Sequence, residues 1–363
     1  MYQPQSPIPV SIVTGFLGAG KSTLLNRLLA DPALADAAVI INEFGAVGID
    51  HLLVESSGDS IIELANGCLC CTVRGALIDT LADLTDRMQT GRVRPVSRVI
   101  IETTGLADPV PVLMAIMAHP VIASTFSIDG VVTLVDAVAG MTTLERHDEA
   151  VRQAAVADRL VITKTDLANG EAVAALERAL AAINPMAEIV DGSAPEASRP
   201  HLLVAGLFDP ARKPRQVGDW LSAEASRHAH HHHHDVNRHS EHIRAFSLIA
   251  ATVASRGVIE AFLHRLAVEH GDHILRVKGV VALAGEPRPL VVHGVGPTVY
   301  PPRFLAKWPH GNEPQTQIVV IGADLSENAV RALFETYLDR PAIDRPDRAA
   351  LEENPLSAFG FKR

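Results

Sequence analysis

The sequence predicts an α/β fold: a doubly wound, mostly parallel sheet followed by a smaller α+β domain. Three observations carry this. Through roughly the first 200 residues, short apolar runs rich in β-branched residues alternate with helix-length segments, which is the pattern of parallel strands joined by crossover helices. Hydrophobic residues make up 47% of the chain but aromatics only 4%, so the core must be built from Ala, Val, Leu and Ile. That composition suits buried parallel strands and the helices that cover them. From Ile243 onward the order changes to runs of strands flanked by two helices, and 363 residues exceed what one core usually serves.

Each element can be justified in turn. The run 8-IPVSIVT-14 reads as a strand that ends in a Gly-rich turn, and 21-KSTLLNRLLA-30 as a helix stopped by Asp31 and Pro32. Further strands are read at 38-AVIIN-42, 98-RVIIET-103, 131-VVTLVD-136 and 159-RLVITK-164, with helices at 74–89, 147–157 and 171–183. The apolar stretch 109–126 holds three prolines and His119, so it reads as a buried helix with its connection. Residues 209–216 are polar and Pro-rich, and 228–242 hold eight of the seventeen histidines; together they read as a linker. Beyond it come strands at 245–253, 274–283, 289–295 and 317–323 and helices at 257–270 and 326–338. The expected organisation is a nucleotide-binding domain over 1–208, a Pro/His-rich linker over 209–242, an α+β domain over 243–340 and a polar tail over 341–363.

Charge and cysteine usage exclude several classes of function. Thirty-two basic against 42 acidic residues give a net charge of −10, which supplies no footprint for nucleic acid or an anionic membrane. The N-terminal residues lack the basic region of a secretory signal, and no uninterrupted apolar run is long enough to span a bilayer. A cytoplasmic protein is expected. Its three cysteines, Cys68, Cys70 and Cys71, fall within four positions, which cannot be a disulfide framework.

The first motif is 15-GFLGAGKST-23, which fits G-x-x-x-x-G-K-[ST] between a strand and a helix and so reads as a P-loop. Gly15, Gly18 and Gly20 permit close backbone approach, and the N–H groups from Gly18 through Ala19 and Gly20 to Lys21 can wrap a β-phosphate at a helix N-terminus. Lys21 supplies a point charge for the β- and γ-phosphates, Ser22 a Mg²⁺ ligand, and Thr23 a contact to the α-phosphate. An acid at another strand end must complete the magnesium shell. Glu102 in 99-VIIETTG-105 is preferred because Gly105 follows it and can offer its N–H to the γ-phosphate; Asp136 is the rival. The segment 163-TKTD-166 fits N/T-K-x-D, in which Asp166 accepts from guanine and the Lys164 stem packs along the ring. Thr163 stands where Asn is usual. Lys21 and Glu102 are the residues expected to carry catalysis.

The loop 67-GCLCC-71 clusters three thiols, soft donors that favour Zn²⁺, Cu(I) and related ions over Mg²⁺. A redox site or inert buried cysteines are the alternatives. Glu43, in 42-NEFG-45, lies where a switch segment would connect the phosphate and cysteine loops; it is an added metal-ligand candidate or a solvated loop acid. The tract 230-HHHHH-234 reads as a flexible metal-collecting arm or as a solvated linker.

Taken in order, 15-GFLGAGKST-23, 42-NEFG-45, 67-GCLCC-71, 102-ETTGLADP-109 and 163-TKTD-166 resemble the CobW-type family of P-loop GTPases, relatives of the nickel-insertion GTPases for urease and hydrogenase. Segments 245–253, 276–283 and 289–300 are similar to that family's C-terminal domain. The resemblance implies a metallochaperone: a GTPase using GTP and Mg²⁺ that binds a transition metal at Cys68, Cys70 and Cys71 and delivers it to a client metalloprotein. It implies Zn²⁺ as the first choice of cargo, with Co²⁺ the alternative, whether for cobalamin synthesis or for nitrile hydratase activation. A zinc-storage module without coupling to hydrolysis is a further alternative, as is an ATP-dependent kinase or ATPase on the same P-loop. The client's identity, assembly into a homo-oligomer and the group that positions the attacking water are not carried by the residues.

Overall fold

The structure is a computed structural model that describes residues 7–42, 61–63, 70–204, 242–305, 308 and 314–338. Strands β1 (Ile8–Gly15), β2 (Ala37–Asn42), β3 (Ile61–Glu63), β4 (Arg98–Thr103), β5 (Phe126–Asp136), β6 (Arg159–Thr163) and β7 (Glu188–Asp191) form one sheet in the order β3-β2-β4-β1-β5-β6-β7. Every pairing in it is parallel. All seven strands therefore point their C-terminal ends to one edge, where ligands of open α/β sheets bind. The connecting helices are α1 (Lys21–Leu29), α2 (Cys70–Gln89), α3 (Val110–Ala118), α4 (Pro120–Thr125), α5 (Gly140–Arg146), α6 (Asp148–Val156) and α7 (Gly170–Ile183).

Both faces of this sheet are covered, which is why its strands read as continuous apolar runs rather than as alternation. Along β1, Val10 and Ile12 enter one core with Leu81, Leu84 and Ile101. Val13 enters the core on the opposite face with Leu25, Leu28 and Ile100. The expected single helix over 109–126 is two helices. Pro120 cannot donate to a helix it would interrupt, so it takes a first-turn position of α4, and His119 Nδ1 accepts the Ile122 N–H (3.4 Å) as its cap. Helix α2 begins at Cys70, four residues before its expected start, and β3, β7 and α5 are additions to the expected set. β3 and β7 are short edge strands, with too few residues to show a period.

The second domain comprises β8 (Ile243–Ala250), α8 (Arg256–His270), β9 (Ile274–Val281), β10 (Leu290–Val295), β11 (Thr298–Val299), β12 (Arg303–Phe304), β13 (Thr316–Ala323) and α9 (Glu327–Leu338). Its antiparallel sheet runs β11-β10-β9-β13-β8, with β12 beside β10. Alternation along β13 assigns the faces: Ile318 and Val320 pack with Phe262, Leu263 and Phe334 of α8 and α9. Val319 and Ile321 join the first domain's core beside Ala150, Val151 and Ala154 of α6. Arg276 and Lys278 project from that second face in register with Ile321 and Val319 and are buried there against Asp158. Among the described residues no helix is long and apolar enough to cross a membrane.

Candidate nucleotide site

Strand β1 delivers the chain to the sheet edge and turns sharply at Gly15, whose φ is 141°. A Cβ there would come within 2.5 Å of the Leu134 carbonyl oxygen, so only glycine fits between β1 and β5. Residues 16–20 form the turn, closed by the Ala19 N–H donating to the Phe16 carbonyl (3.1 Å), and α1 begins at Lys21. Lys21 is buried, and its ammonium donates to the carbonyls of Gly15 (2.9 Å) and Phe16 (3.3 Å). The loop thus holds its own lysine across its mouth. Ser22 and Thr23 follow in the first turn of α1, half-buried and exposed respectively.

Glu102 is buried near the C-terminal end of β4, in register with Val13 of β1. Beside it Thr103 Oγ1 donates to Thr14 Oγ1 (2.7 Å), a further tie between the same two strands. Gly105 presses against the phosphate loop: a Cβ on it would lie 2.6 Å from the Leu17 nitrogen. The 15–23 and 102–105 motifs are therefore in direct contact. Asp136, the rival acid, ends β5 and is already engaged. Its Oδ1 accepts the N–H groups of Val138 (2.8 Å) and Ala139 (3.3 Å), and its Oδ2 pairs with the Lys164 ammonium (2.5 Å). Burial opposes its ionisation, but the Lys164 bond and the two backbone bonds win and lower its pKa.

The 163–166 segment reaches the same edge at the end of β6. Thr163 Oγ1 donates to the carbonyl of Ala19 (2.9 Å), so it joins this segment to the phosphate loop. Lys164 adopts φ 58° and turns the chain into a single 3₁₀ turn, Thr165–Leu167, on which Asp166 is exposed. The end of β7 closes the other side, with Asp191 Oδ1 accepting from Thr165 Oγ1 (2.8 Å), Ser193 N–H (2.9 Å) and Ser193 Oγ (2.8 Å). The sequence reading missed the Asp136–Lys164 pair and this Asp191–Ser193 turn. Asp-Gly-Ser after an apolar run was the available turn signal.

Of the other predicted residues, Glu43, Cys68 and the histidine tract lie outside the described residues. Cys70 and Cys71 are the first two residues of α2. Among the described residues no group of three His, Cys, Asp or Glu could hold a metal ion. The oxygen donors at the phosphate loop, the Ser22 hydroxyl and the Glu102 carboxylate, are of the class Mg²⁺ requires.

Comparison with known proteins agrees with this geometry. Residues 9–191 match the nucleotide-binding domain described as CobW/HypB/UreG, and residues 243–338 match the cobalamin synthesis protein cobW C-terminal domain. The chain is 33% identical to the zinc chaperone YjiA of Escherichia coli over 332 residues, covering 91% of this chain and 98% of that one. It is 33% identical to the zinc chaperone CobW of a Sinorhizobium species over 362 residues, 90% and 96% of the two chains. The crystal structure of the Zn(II)-bound YjiA GTPase from E. coli superposes with a TM-score of 0.67 at 29% identity, covering 93% of this chain and all of that one (100%).

Proposed function

The chain belongs to the CobW/HypB/UreG family of nucleotide-binding proteins, and on that premise we propose that it is a GTP-hydrolysing zinc metallochaperone of the cytoplasm. The observation that carries this reading is the Thr163 hydroxyl bonded to Ala19 O at 2.9 Å. It ties the 15–23 loop to the 163–166 segment, although 144 residues separate the bonded pair, and so supports reading the two as one nucleotide site.

In this reading the N–H groups of Gly18 to Lys21 and the α1 N-terminus bind the phosphates. GTP draws the Lys21 ammonium from the loop carbonyls to the β- and γ-phosphates, so an internal contact is exchanged for the ligand. Ser22 and Glu102 would hold Mg²⁺, which would supply positive charge to the phosphates during hydrolysis. Gly105 offers its N–H to the γ-phosphate, and Thr23 contacts the α-phosphate. Asp166, exposed at the end of β6, accepts from guanine, while Lys164 exchanges its Asp136 partner for the ring face.

Zinc is cargo rather than a resident cofactor. Cys68, Cys70 and Cys71 bind it, with Glu43 an added ligand, and hydrolysis drives its delivery to a client metalloprotein. Support comes from the zinc-chaperone relatives and from the topology, because α2 returns the chain to β4 and so starts at the edge that carries the phosphate loop. Lys21→Ala is expected to abolish GTP-dependent phosphate release. Cys70→Ala is expected to lower zinc stoichiometry in a chelator competition while leaving GTP affinity within about threefold. Tight zinc binding by the cysteine variant would overturn the thiolate site. ATP outcompeting GTP would overturn the role of Asp166, and zinc transfer running equally with GDP and GTP would overturn coupling.

A further inference from the structure

The segment after Glu102 is gripped from behind by a side chain that the reaction as described does not use. Gln153, on α6, is 1% exposed. Its Nε2 donates to two carbonyls of that segment, Gly105 O at 3.1 Å and Ala107 O at 3.0 Å. The neighbouring Arg152 reaches Asp108 Oδ2 at 3.4 Å. On the other side, Gly105 abuts Leu17 of the phosphate loop closely enough to exclude a Cβ. The segment is thus clamped between the phosphate loop and α6. The helix is itself pinned to β5, since Thr133 Oγ1 donates to the Gln153 carbonyl (2.8 Å).

Gln153 Oε1 has no hydrogen-bond partner among the described residues, so the ties of this side chain to the rest of the fold run through its Nε2. What the amide adds is two donor bonds to one loop. Gln153 also lines, with Phe16, Leu17, Thr133 and Asp136, a cavity of about 30 Å³ beside the phosphate loop, room on the order of one water. The loop therefore has a fixed anchor and a small adjacent space.

We propose that Gln153 is a positioning residue for GTP hydrolysis, holding Gly105 to Asp108 at the depth from which the Gly105 N–H reaches the γ-phosphate. This rests on the reading of Gly105 given above. Helix α6 runs directly into Asp158, the anchor of the C-terminal domain, so the helix that sets the loop is also the one that the second domain holds.

The test uses the full chain carrying Gln153→Met, which keeps the volume and removes the donor, and Gln153→Glu. In Gln153→Met, kcat for GTP is expected to fall roughly 10–100-fold, while the Kd for a fluorescent GDP analogue stays within about threefold and the thermal midpoint drops by only a few degrees, as the loss of two hydrogen bonds requires. In Gln153→Glu the ionised carboxylate faces two carbonyls and the same loss is expected at about pH 8. Part of the activity returns towards about pH 6, where a protonated carboxyl can donate; neither wild type nor Gln153→Met shows that recovery. Wild-type kcat in Gln153→Met would overturn the inference alone. A joint fall of kcat, GDP affinity and thermal stability would reduce Gln153 to a packing residue and overturn it too. A wild-type chain that releases no phosphate from GTP would overturn the GTPase reading and this inference with it.

Discussion

The two ends of strand β6 handle charge in opposite ways. Just before it, Asp158 is closed into the boundary between the domains, where its Oδ1 accepts from Arg276 Nη2 (2.6 Å) and Lys278 Nζ (2.7 Å) and its Oδ2 from the Val131 N–H (3.0 Å). Just after it, Lys164 meets Asp136 with 39% of its side chain still open to solvent. Burial works against ionisation of Asp158, but Arg276 and then Lys278 overcome it and hold the carboxyl far below the usual range. The same burial draws the Lys278 ammonium down, and Asp158 opposes that. A buried pair of this kind adds little net stability compared with apolar packing, yet removing one partner is expensive. The buried end therefore fixes which face of the second sheet docks. The open end keeps its ions in contact with solvent, where they can exchange partners.

The contrast can be broken first at the buried end. Asp158→Asn leaves Arg276 and Lys278 buried without an anion, and urea unfolding is expected to show a loss of about 3–5 kcal/mol, with GTP affinity changed far less. A loss below about 1 kcal/mol would place this cluster with the solvated pairs and erase the distinction. The second test is pH. Burial, followed by Arg276 and Lys278, holds His293 well below its ordinary value of 6.5, so the imidazole is neutral when folded and protonates on unfolding. Its contribution to stability is then complete above about pH 6.5 and is lost as pH falls below that, with a slope of at most about one proton. The groups facing His293 are Arg276, Lys278, Asp158 and Tyr300. His293→Asn should flatten that slope, and an equal slope in both proteins would show that His293 is not its source. The smallest effect is at the open end. Thr163→Val removes the bond to Ala19 and should weaken GTP binding by about 0.5–1.5 kcal/mol, a few-fold to tenfold, without lowering the urea midpoint. Unchanged affinity would mean that the phosphate and base segments act separately.

Much of the candidate site could be read directly from the chain. The glycines of the phosphate loop, Lys21 and the 163–166 segment lie in short contiguous motifs whose geometry is local. Thr163 illustrates the limit. In sequence it is a departure from the usual Asn, and in the fold its hydroxyl supplies a bridge to Ala19. Gln153 carried no motif at all, because its partners Gly105 and Ala107 lie 48 and 46 residues away. In the second domain, the strand read at 274–283 gave no sign of where its charges lie, and Arg276 and Lys278 are 3% and 7% exposed. Alternation reports two faces and does not say what each one meets.

Local physics, then, was sufficient for the principal strands and helices, the phosphate-loop motif and the division into a parallel-sheet domain and a smaller α+β domain, but not for the short edge strands β3 and β7 or the split of 109–126 into two helices. Backbone sterics at glycine and the burial of apolar periodicity act over a few residues and are written in contiguous sequence. The pairing of Asp158 with Arg276 and Lys278, 118 and 120 residues on, belongs to the assembled molecule, as does the grip of Gln153 on the loop after Glu102. Those contacts exist only once two independently patterned elements are packed, because a buried charge or amide is tolerable only where a distant partner satisfies it.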